Sequence, residues 1–346
     1  MGTNLKDLLF KKEINIEDLN GKVLVVDSFN ILYQFLSSIR QRDGSLLMDS
    51  QGNITSHLAG LFNRTTKLMS YGLKLAFVFD GEPPKLKHQE RERRKNLKVE
   101  AEKRFEKAKA EEDLDAMKKY AARTSKLTEE MIEEATLLIR AMGCPIVQAP
   151  SEGEAQAALI VDKGDAFATV SEDYDSLLYG SLRLVKNLTI TGRKKQKDKL
   201  SYEIISPAIV DLSENLKHLN INREQLIVIA MLVGTDFNVG GIKGIGPKKA
   251  YDLVKTHKMD FNAIFKEINW QDSFDVKWED VFDLIKNMPV KNNYKLRWED
   301  LDKKKIMELL IEKHDFSEAR VESTLSKLED VKEKQKQKGL QDFFKK

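Results

Sequence analysis

Short apolar runs alternate with helical patterns through the first half of the 346-residue chain. The clearest apolar runs are residues 22–26 (KVLVV), 75–79 (LAFVF) and 166–170 (AFATV), and residues 145–147 and 182–185 are less regular examples. Continuous β-branched or aromatic runs are typical of strands that are buried on both faces of a parallel sheet. Because helical patterns separate them, these runs predict an α/β fold with a mostly parallel, twisted sheet flanked by helices.

Three of the intervening segments carry helix signals. Residues 54–71 and 127–142 have helical periodicity, and in the second segment Thr128 suits the N-cap position and Gly143 the C-terminal stop. Residues 85–126 are highly charged, nearly free of Gly and Pro, and rich in helix formers. We therefore expect this charged segment to form one or two helices that stand off the core.

The second half of the chain has a different pattern. Residues 189–202 contain Gly192 and a basic run, which predicts a solvated hairpin or loop. From about residue 203 the pattern is mainly helical, and residues 226–233 (LIVIAMLV) are apolar all round, which is typical of a buried helix. Residues 333–338 contain little but Lys, Gln and Glu, a composition that favours disorder.

We divide the chain into overlapping regions. They are an N-terminal region (1–98), a charged helical insertion (85–126), an internal region (116–258), a C-terminal helical region (259–330) and a flexible tail (331–346).

Composition excludes several classes of protein. Hydrophobic residues make up 41% of the chain and charged residues 33%, which permits a real core beneath a heavily solvated surface. The single cysteine, Cys144, cannot form an internal disulfide, and this fits a reducing cytosol. No apolar run approaches the roughly 18 residues that a membrane helix needs, and the beginning of the chain lacks an apolar stretch of signal-peptide length. We therefore expect neither a membrane protein, nor a secreted protein, nor a disulfide scaffold.

Basic charge is concentrated in two places although the net charge is only +3. Residues 85–126 contain fifteen Lys and Arg against nine Asp and Glu, and residues 331–346 contain six Lys against two acids. Such concentration is expected of a surface that binds a polyanion. A solvated helix that merely keeps the protein soluble would show the same pattern, so charge alone leaves both interpretations open.

Acidic residues follow three of the predicted strands. Asp27 ends the first, Asp80 follows the second, and Asp173 and Asp175 follow the third. The carboxyl ends of strands form the ligand crevice of an open α/β sheet, so these acids should share one rim. Two more acids, Glu152 and Glu154, begin a helix in the segment APSEGEAQAAL.

Each acid also has an ordinary structural explanation. Ser151-x-x-Glu154 is a capping box, and Asp173 and Asp175 suit a turn after a strand. These explanations do not account for five or six acids on one rim, where mutual repulsion would raise their pKa values. Mg²⁺ and Mn²⁺ resolve the repulsion because they prefer oxygen ligands, whereas zinc would need a His or Cys cluster that the chain lacks. Carboxylates around two such ions are typical of enzymes that hydrolyse phosphodiesters.

A glycine-rich segment, GGIKGIGPKKA (240–250), follows the apolar helix. Glycines allow backbone N–H groups to approach a phosphate closely, the next helix adds its positive N-terminus, and lysines add charge. The alternative is an ordinary turn between two helices. The phosphate interpretation, which would give sequence-independent binding, rests on Gly241, Gly244, Gly246, Lys243, Lys248 and Lys249.

Six motifs, in this order and spacing, resemble the flap endonucleases, members of the structure-specific 5′-nuclease family of the xeroderma-pigmentosum-G type. The motifs are VVDSFNILYQFL, FVFDGEPPKLK, APSEGEAQAA, VSEDYDSLLYG, LVGTDF and GGIKGIGPKKA. The resemblance implies a PIN-like or resolvase-like nuclease core shared by the N-terminal and internal regions. It also implies that residues 85–126 form the helical arch and that residues 226–256 form a helix–two-turn–helix motif.

The resemblance also assigns metal ligands. It implies one ion held by Asp27, Asp80, Glu152 and Glu154, and a second held by Asp173, Asp175 and Asp236, some of them through water. Asp236 rests on the resemblance alone. The ions would be two Mg²⁺, with Mn²⁺ as a substitute, and K⁺ is expected at the helix–two-turn–helix.

Contacts with DNA follow from the same resemblance. Lys87 and Arg94 match the basic pair that contacts the scissile phosphate, and Tyr33 matches an aromatic residue that stacks on a base. Tyr33 could instead belong to the core, because it lies at helical spacing after Asp27. The arch would pass a single-stranded 5′ flap, and the glycine-rich turn would hold the duplex.

The end of the chain carries a Q-x-x-L-x-x-F-F pattern formed by Gln337, Leu340, Phe343 and Phe344. One helical turn would place the three apolar side chains on a single face, ready for a pocket on a partner. The pattern resembles the peptide by which replication proteins bind the sliding clamp, proliferating cell nuclear antigen. The alternative is a tail that folds back onto its own core.

The sequence therefore predicts a Mg²⁺-dependent 5′ flap endonuclease with 5′-exonuclease activity, acting on branched DNA as a monomer. The alternatives are a nuclease of the same family that is specialised for bubbles, junctions or exonuclease work, and a non-catalytic DNA-binding accessory of the clamp. The short form is more like archaeal members of the family, which implies a cytoplasmic protein at the nucleoid; a eukaryotic member would be nuclear.

Overall fold

A seven-stranded sheet lies at the centre of the computed structural model, which describes residues 3–344 except 42, 112, 122, 189–192 and 196–201. The described residues form nine strands: β1 (Lys12–Glu13), β2 (Val23–Asp27), β3 (Lys74–Phe79), β4 (Ile146–Gln148), β5 (Ala168–Val170), β6 (Arg183–Lys186), β7 (Arg193–Lys195), β8 (Tyr202–Ile204) and β9 (Ala208–Asp211). The sheet has the order β1-β9-β6-β5-β2-β3-β4. Its five strands from β6 to β4 are parallel, whereas β9 and β1 are antiparallel additions at one edge.

Helices cover both faces of this sheet. Among the described residues the α-helices are α1 (Ser28–Ser38), α2 (Ser56–Ser70), α3 (His88–Ala110), α4 (Leu114–Ala121), α5 (Glu129–Ala141), α6 (Gly153–Asp162), α7 (Asp175–Leu178), α8 (Leu212–Leu219), α9 (Arg223–Val233), α10 (Pro247–His257), α11 (Phe261–Glu267), α12 (Trp278–Lys286), α13 (Lys303–Met307) and α14 (Glu318–Phe344). Short 3₁₀ turns occur at Ile16–Leu19, Lys85–Lys87 and Trp270–Asp272, and a π-helical turn at Glu308–Lys313. None of the helices in the described ranges is both long and apolar enough to cross a membrane.

Side chains along the central strands alternate between two cores. In β2, Leu24 and Val26 pack with α1, α2 and α5, whereas Val25 packs with α6 on the other face. Burying each such side chain contributes about 1.5–3 kcal/mol to stability. All five apolar runs identified in the sequence form parallel strands, which confirms the predicted fold class.

Helix α9 lies at the centre of a third core. Its residues 225–232 are all buried, and α10 and α12 pack around it. The apolar segment is therefore a buried helix, as predicted. The prediction of a mainly helical chain after residue 203 misses the short strand β9, because four residues beside Pro207 are too few to show alternation.

The charged insertion is helical, as predicted. It contains the 3₁₀ turn before α3, and then α3 and α4, which pack against each other. Strands β7 and β8 form the predicted hairpin, although residues 189–192 and 196–201 of it lie outside the described residues. Helix α14 extends into the predicted tail, where Lys, Gln and Glu are also good helix formers.

An extended segment, which we call the strap (residues 288–302), crosses from the α9 core to the far end of the sheet. Gln156 exchanges two hydrogen bonds with the backbone of Lys291, at 2.7 and 2.9 Å. The indole nitrogen of Trp298 donates to the Leu75 carbonyl at 2.8 Å, and the backbone N–H of Glu299 donates to Gly143 at 3.0 Å. The strap thus donates hydrogen bonds to backbone carbonyls near the start of β3 and just after α5. These carbonyls lie at the end of the sheet opposite the predicted rim.

A buried polar cluster, which we call the clasp (Asp49, Glu134 and His314), fastens the C-terminal region to the N-terminal one. His314 Nδ1 lies 2.9 Å from the Asp49 carboxylate, and Nε2 lies 2.8 Å from that of Glu134. Burial alone would raise the pKa of Asp49, but hydrogen bonds from His314 and Asn53 lower it to about 2. Both carboxylates therefore remain charged partners of the imidazole over the physiological range.

Candidate active site

The acids that follow the predicted strands do meet at one rim of the sheet. Asp27 is the last residue of β2 and the N-cap of α1, and Asp80 directly follows β3. Asp173 and Asp175 follow β5, which neighbours β2. Because these strands are parallel, their carboxyl ends deliver the four side chains to the same side.

The start of α6 brings two more acids to this rim. Glu152 occupies the N-cap position, and Ser151 instead donates its hydroxyl to the Glu82 carbonyl at 2.9 Å. The Glu154 carboxylate accepts a hydrogen bond from the Ser171 hydroxyl at 3.0 Å, on the neighbouring loop. No capping box forms between Ser151 and Glu154, so that explanation of Glu154 is wrong.

Burial and mutual repulsion raise the pKa values of the acids at this rim. Burial and then the neighbouring charges of Asp80 and Asp173 raise the pKa of Asp27 to about 8. Burial, Asp173 and Asp236 raise that of Asp175 to about 6. The pKa of Glu154 is also well above its ordinary value, through burial and the charges of Asp175, Asp27 and Asp173. The carboxylates therefore destabilise one another's charged forms in a desolvated space.

Asp236 reaches the same site from a different part of the fold. It lies just after α9, in the turn that begins with Gly234, and its charge raises the pKa values of Asp80 and Asp175. Strand-end reasoning cannot find this residue, because no strand precedes it.

Two basic side chains of the insertion lie among the acids. Lys87 Nζ lies 2.6 Å from Glu152 and 3.3 Å from Asp236. The Arg94 guanidinium donates to both carboxylate oxygens of Asp236, at 2.8 and 3.0 Å. Burial alone would lower the pKa of Lys87, but the charges of Glu152 and Asp236 outweigh it and raise the pKa.

This arrangement fits hard divalent ions by the chemistry of its donors. Seven carboxylates and no thiol or imidazole supply the oxygen ligands that Mg²⁺ and Mn²⁺ prefer. Across the described ranges, no three Asp, Glu, His or Cys side chains are close enough together to coordinate a metal ion as they stand. Lys87 and Arg94 supply the positive charge between Glu152 and Asp236 instead.

Tyr33 lies at the foot of the insertion rather than in the core. Its side chain is 39% exposed, and the Lys98 ammonium lies 4.9 Å from the centre of its ring. The alternative that Tyr33 is a core residue is therefore wrong.

The glycine-rich segment forms the turn between α9 and α10, with Pro247 as the first residue of α10. Gly241 has a positive φ of 61°, and a Cβ there would lie 2.3 Å from the backbone of Val233. Gly244 and Gly246 instead face open space, and Gly246 caps α10. Lys243, Lys248 and Lys249 are all exposed beside them. Gly241 therefore closes the turn, whereas the other two glycines leave backbone accessible.

Two polar residues that the sequence analysis did not single out also support the site. Asn30 donates its side-chain amide to Asp173 at 3.0 Å, and Lys186 donates to the backbone carbonyl of Glu172. Asn30 lies three residues after Asp27, a spacing that the sequence shows but that also suits an ordinary helix. The side chains of Gln337, Leu340, Phe343 and Phe344 lie outside the described part of the structure, so the clamp peptide stays a prediction.

Comparison with known proteins agrees with this geometry. The chain matches the XPG N-terminal domain over residues 1–101 and the XPG I-region over residues 143–236. It is 48% identical to Flap endonuclease 1 of Staphylothermus marinus, over 99% of this chain and 100% of the relative. It is 47% identical to Flap endonuclease 1 of Pyrococcus furiosus over the whole of both chains.

A solved structure gives the same relationship in three dimensions. The flap endonuclease-1 from Methanococcus jannaschii superposes with a TM-score of 0.75 at 40% identity, covering 95% of this chain and 98% of that one. With its strand-end acids, its charged helical insertion and these relatives over its full length, the chain belongs to the flap endonuclease family of XPG-type nucleases.

Proposed function

We propose that this protein is a structure-specific 5′ flap endonuclease with 5′–3′ exonuclease activity. It cuts the 5′ strand at a flap–duplex junction and leaves a nick for ligation, in Okazaki fragment maturation and in repair. The observation that carries this proposal is the convergence of seven acids with Lys87 and Arg94 at one rim, where burial and mutual repulsion raise the carboxylate pKa values.

The acids hold two Mg²⁺ ions, and Mn²⁺ can substitute. Asp27, Asp80, Glu152 and Glu154 hold one ion, and Asp173, Asp175 and Asp236 hold the other, some of them through water. Two such ions, held by these carboxylates, would supply an activated water and stabilise the leaving oxygen. The repulsion that helps to raise the pKa of Asp27 would be relieved by bound cations, and their binding would release the protons that the cluster otherwise retains.

Lys87 and Arg94 bind the scissile phosphate. In the structure they neutralise Glu152 and Asp236, at 2.6 and 2.8 Å. If metal ions neutralised those carboxylates, Lys87 and Arg94 would be free to bind a phosphate in the same space. Their length and their place at the base of α3 suit this exchange.

The remaining regions position the DNA. The arch (85–126) passes the single-stranded flap, Tyr33 stacks on a base near the cut, and the helix–two-turn–helix holds the duplex backbone at Gly244 and Gly246. K⁺ binds at that turn. The open space beside both glycines and the exposed lysines around them support a backbone contact that does not depend on sequence.

The C-terminal peptide (337–344) binds the sliding clamp, and the protein acts as a monomer on branched DNA. Because the relatives at 46–49% identity come from organisms such as Pyrococcus and Staphylothermus, we place this activity at the nucleoid of an archaeal cytoplasm.

The test is cleavage of a labelled double-flap DNA by the Asp27→Ala and Asp173→Ala variants, with and without EDTA. We expect both variants to bind the substrate and to lose cleavage by about 10³-fold or more, since each removes an ion ligand. Asp162→Ala, at the exposed end of α6, is the matched control and should cleave normally. Full cleavage by both site variants, or by the unaltered protein in EDTA, would refute the proposal.

A further inference from the structure

Asn30 connects the two groups of acids at the rim. Its backbone N–H donates to Asp27 at 3.1 Å, and its side-chain amide donates to Asp173 at 3.0 Å. Asp27 ends β2 and Asp173 follows β5, which lie side by side in the sheet. One residue therefore touches a carboxylate from each of the two proposed ligand groups.

The orientation of the Asn30 amide is fixed by a third contact. The backbone N–H of Glu172 lies 3.4 Å from the Asn30 side-chain oxygen, as a weak donor to it. This contact leaves the amide nitrogen facing Asp173. Asparagine suits the position because its amide accepts from the loop backbone and donates to the carboxylate at the same time.

The loop that carries Asp173 is held from its other side as well. Lys186 donates to the Glu172 carbonyl, and the backbone N–H of Asn187 donates to the Glu172 carboxylate at 2.8 Å. Lys186 is itself buried, and its ammonium lies 3.8 Å from the centre of the Tyr174 ring. Since the loop backbone is fixed by these contacts, the Asn30 amide acts on the direction of the Asp173 side chain.

The neighbouring charges make this direction matter. Asp27 and Asp173 are like charges that a single residue bridges, so the two carboxylates repel each other when no ion lies between them. Asn30 opposes this repulsion with two donors, because its side-chain amide donates to Asp173 and its backbone N–H donates to Asp27. Groups that orient metal-binding carboxylates are typically worth 10–100-fold in metal affinity or activity.

We propose that Asn30 is a positioning residue that sets the separation of Asp27 and Asp173 and thereby the affinity of the site for its metal ions. This inference rests on the proposed two-ion nuclease function and deepens it, because it names a residue outside the ligand set that determines how tightly the ions bind.

The test compares Asn30→Ala and Asn30→Leu with Asn63→Ala. Leucine has the same number and branching of side-chain heavy atoms as asparagine but no amide, so it keeps packing at this position while removing the hydrogen bonds. Asn63 is the matched control, because it lies on α2 and its side-chain amide donates to the Ala59 carbonyl of the same helix at 2.8 Å. Mn²⁺ binding is measured by calorimetry on the protein without DNA, and kcat and KM for flap DNA are measured across a Mg²⁺ titration.

We expect both Asn30 variants to bind Mn²⁺ about 10–100-fold more weakly and to need correspondingly more Mg²⁺ for half-maximal kcat, with KM for DNA unchanged. Asn63→Ala should match the unaltered protein in every measurement.

Unchanged Mn²⁺ affinity in both Asn30 variants, in a protein that still cleaves flaps, would overturn the role of Asn30 alone. If Asn30→Leu retained its Mn²⁺ affinity, the proposed role of the amide would also be overturned, because lost packing would then explain any weaker binding by Asn30→Ala. If the unaltered protein binds Mn²⁺ but cuts no flap, the proposed function fails and the Asn30 role in ion binding is judged by calorimetry alone.

Discussion

The buried carboxylate of Asp27 couples the stability of the folded protein to pH. The pKa of Asp27 is raised from 3.8 to about 8, first by burial and then by the charge of Asp80. As pH rises from about 4 to 8, the unfolded chain loses this proton while the folded protein keeps it. The folded state then binds more protons, so its stability falls with rising pH across this window and levels off above it.

The substitution Asp27→Asn tests this relationship. Asparagine resembles the protonated acid and cannot be charged, so the variant should lose less stability between pH 4 and pH 8 than the unaltered protein. The measurement is the melting temperature in EDTA at a series of pH values. Asp162→Asn is the control and should follow the unaltered protein. Parallel curves for Asp27→Asn and the unaltered protein would show that Asp27 is ionised normally in the fold.

The residues that could be predicted from sequence are those whose position follows from chain direction. Asp27 and Asp80 come directly after apolar runs, so the sheet places them without any knowledge of contacts. Asp236 follows a helix, and only the tertiary packing of α9 brings it to the rim. Asn30 has no signal beyond its spacing from Asp27, because its role depends on a loop 143 residues later in the chain.

At the scale of elements, the turn between α9 and α10 combines a packing function with the proposed binding function. Gly241 has a positive φ and touches the backbone of Val233, whereas Gly246 faces open space. Alanine is therefore expected to have different effects at the two positions, although the sequence pattern does not distinguish the two glycines.

The pair Gly241→Ala and Gly246→Ala separates these functions. Gly241→Ala should destabilise the protein by about 1–3 kcal/mol, because a left-handed backbone must carry a Cβ against a neighbouring carbonyl. Gly246→Ala should cost less stability, about 0.5–1 kcal/mol for alanine at the N-cap of α10, but should weaken binding to duplex DNA, because its Cβ fills the space beside the backbone. Thermal unfolding and fluorescence anisotropy with a nicked duplex measure the two effects. Equal melting temperatures for both variants would contradict the packing role of Gly241.

Elements that the sequence predicts well are those buried on both faces. The inner residues of the central parallel strands β2, β3 and β5 are apolar because helices cover them on each side, and so these runs stand out. Strands β1 and β9 lie at the antiparallel edge and contain two and four residues. Strand β1 is the edge strand, and β9 lies between β1 and β6. Both are specified by their antiparallel partners rather than by an apolar run of their own, which is why they are not visible in the sequence.

At the scale of the whole molecule, recruitment to the clamp is expected to be separate from catalysis. The acids of the site lie between residues 27 and 236, whereas the predicted clamp peptide lies at 337–344. Substituting Phe343 and Phe344 together by Ala should abolish stimulation of cleavage by the clamp and leave cleavage without the clamp unchanged. The measurement is the flap-cleavage rate with and without proliferating cell nuclear antigen.

Lys338→Ala, within the same peptide but not at an anchor position, serves as the control for that experiment. It should retain stimulation. A double Phe variant that the clamp still stimulates fully would show that another surface carries the interaction.

The clasp and the last helices have a consequence for how this polypeptide can be shortened. Residues 261–288 pack around α9, but Ile306, Leu310 and Leu325 pack with α2 and α5 on the far side of the sheet. The region after residue 259 is therefore not a separable module, since it completes two different cores. Deletion from the carboxyl end should leave the fold intact only as far as the start of the tail, although it would remove the predicted clamp peptide. Deeper deletions would expose the apolar faces of α2 and α5.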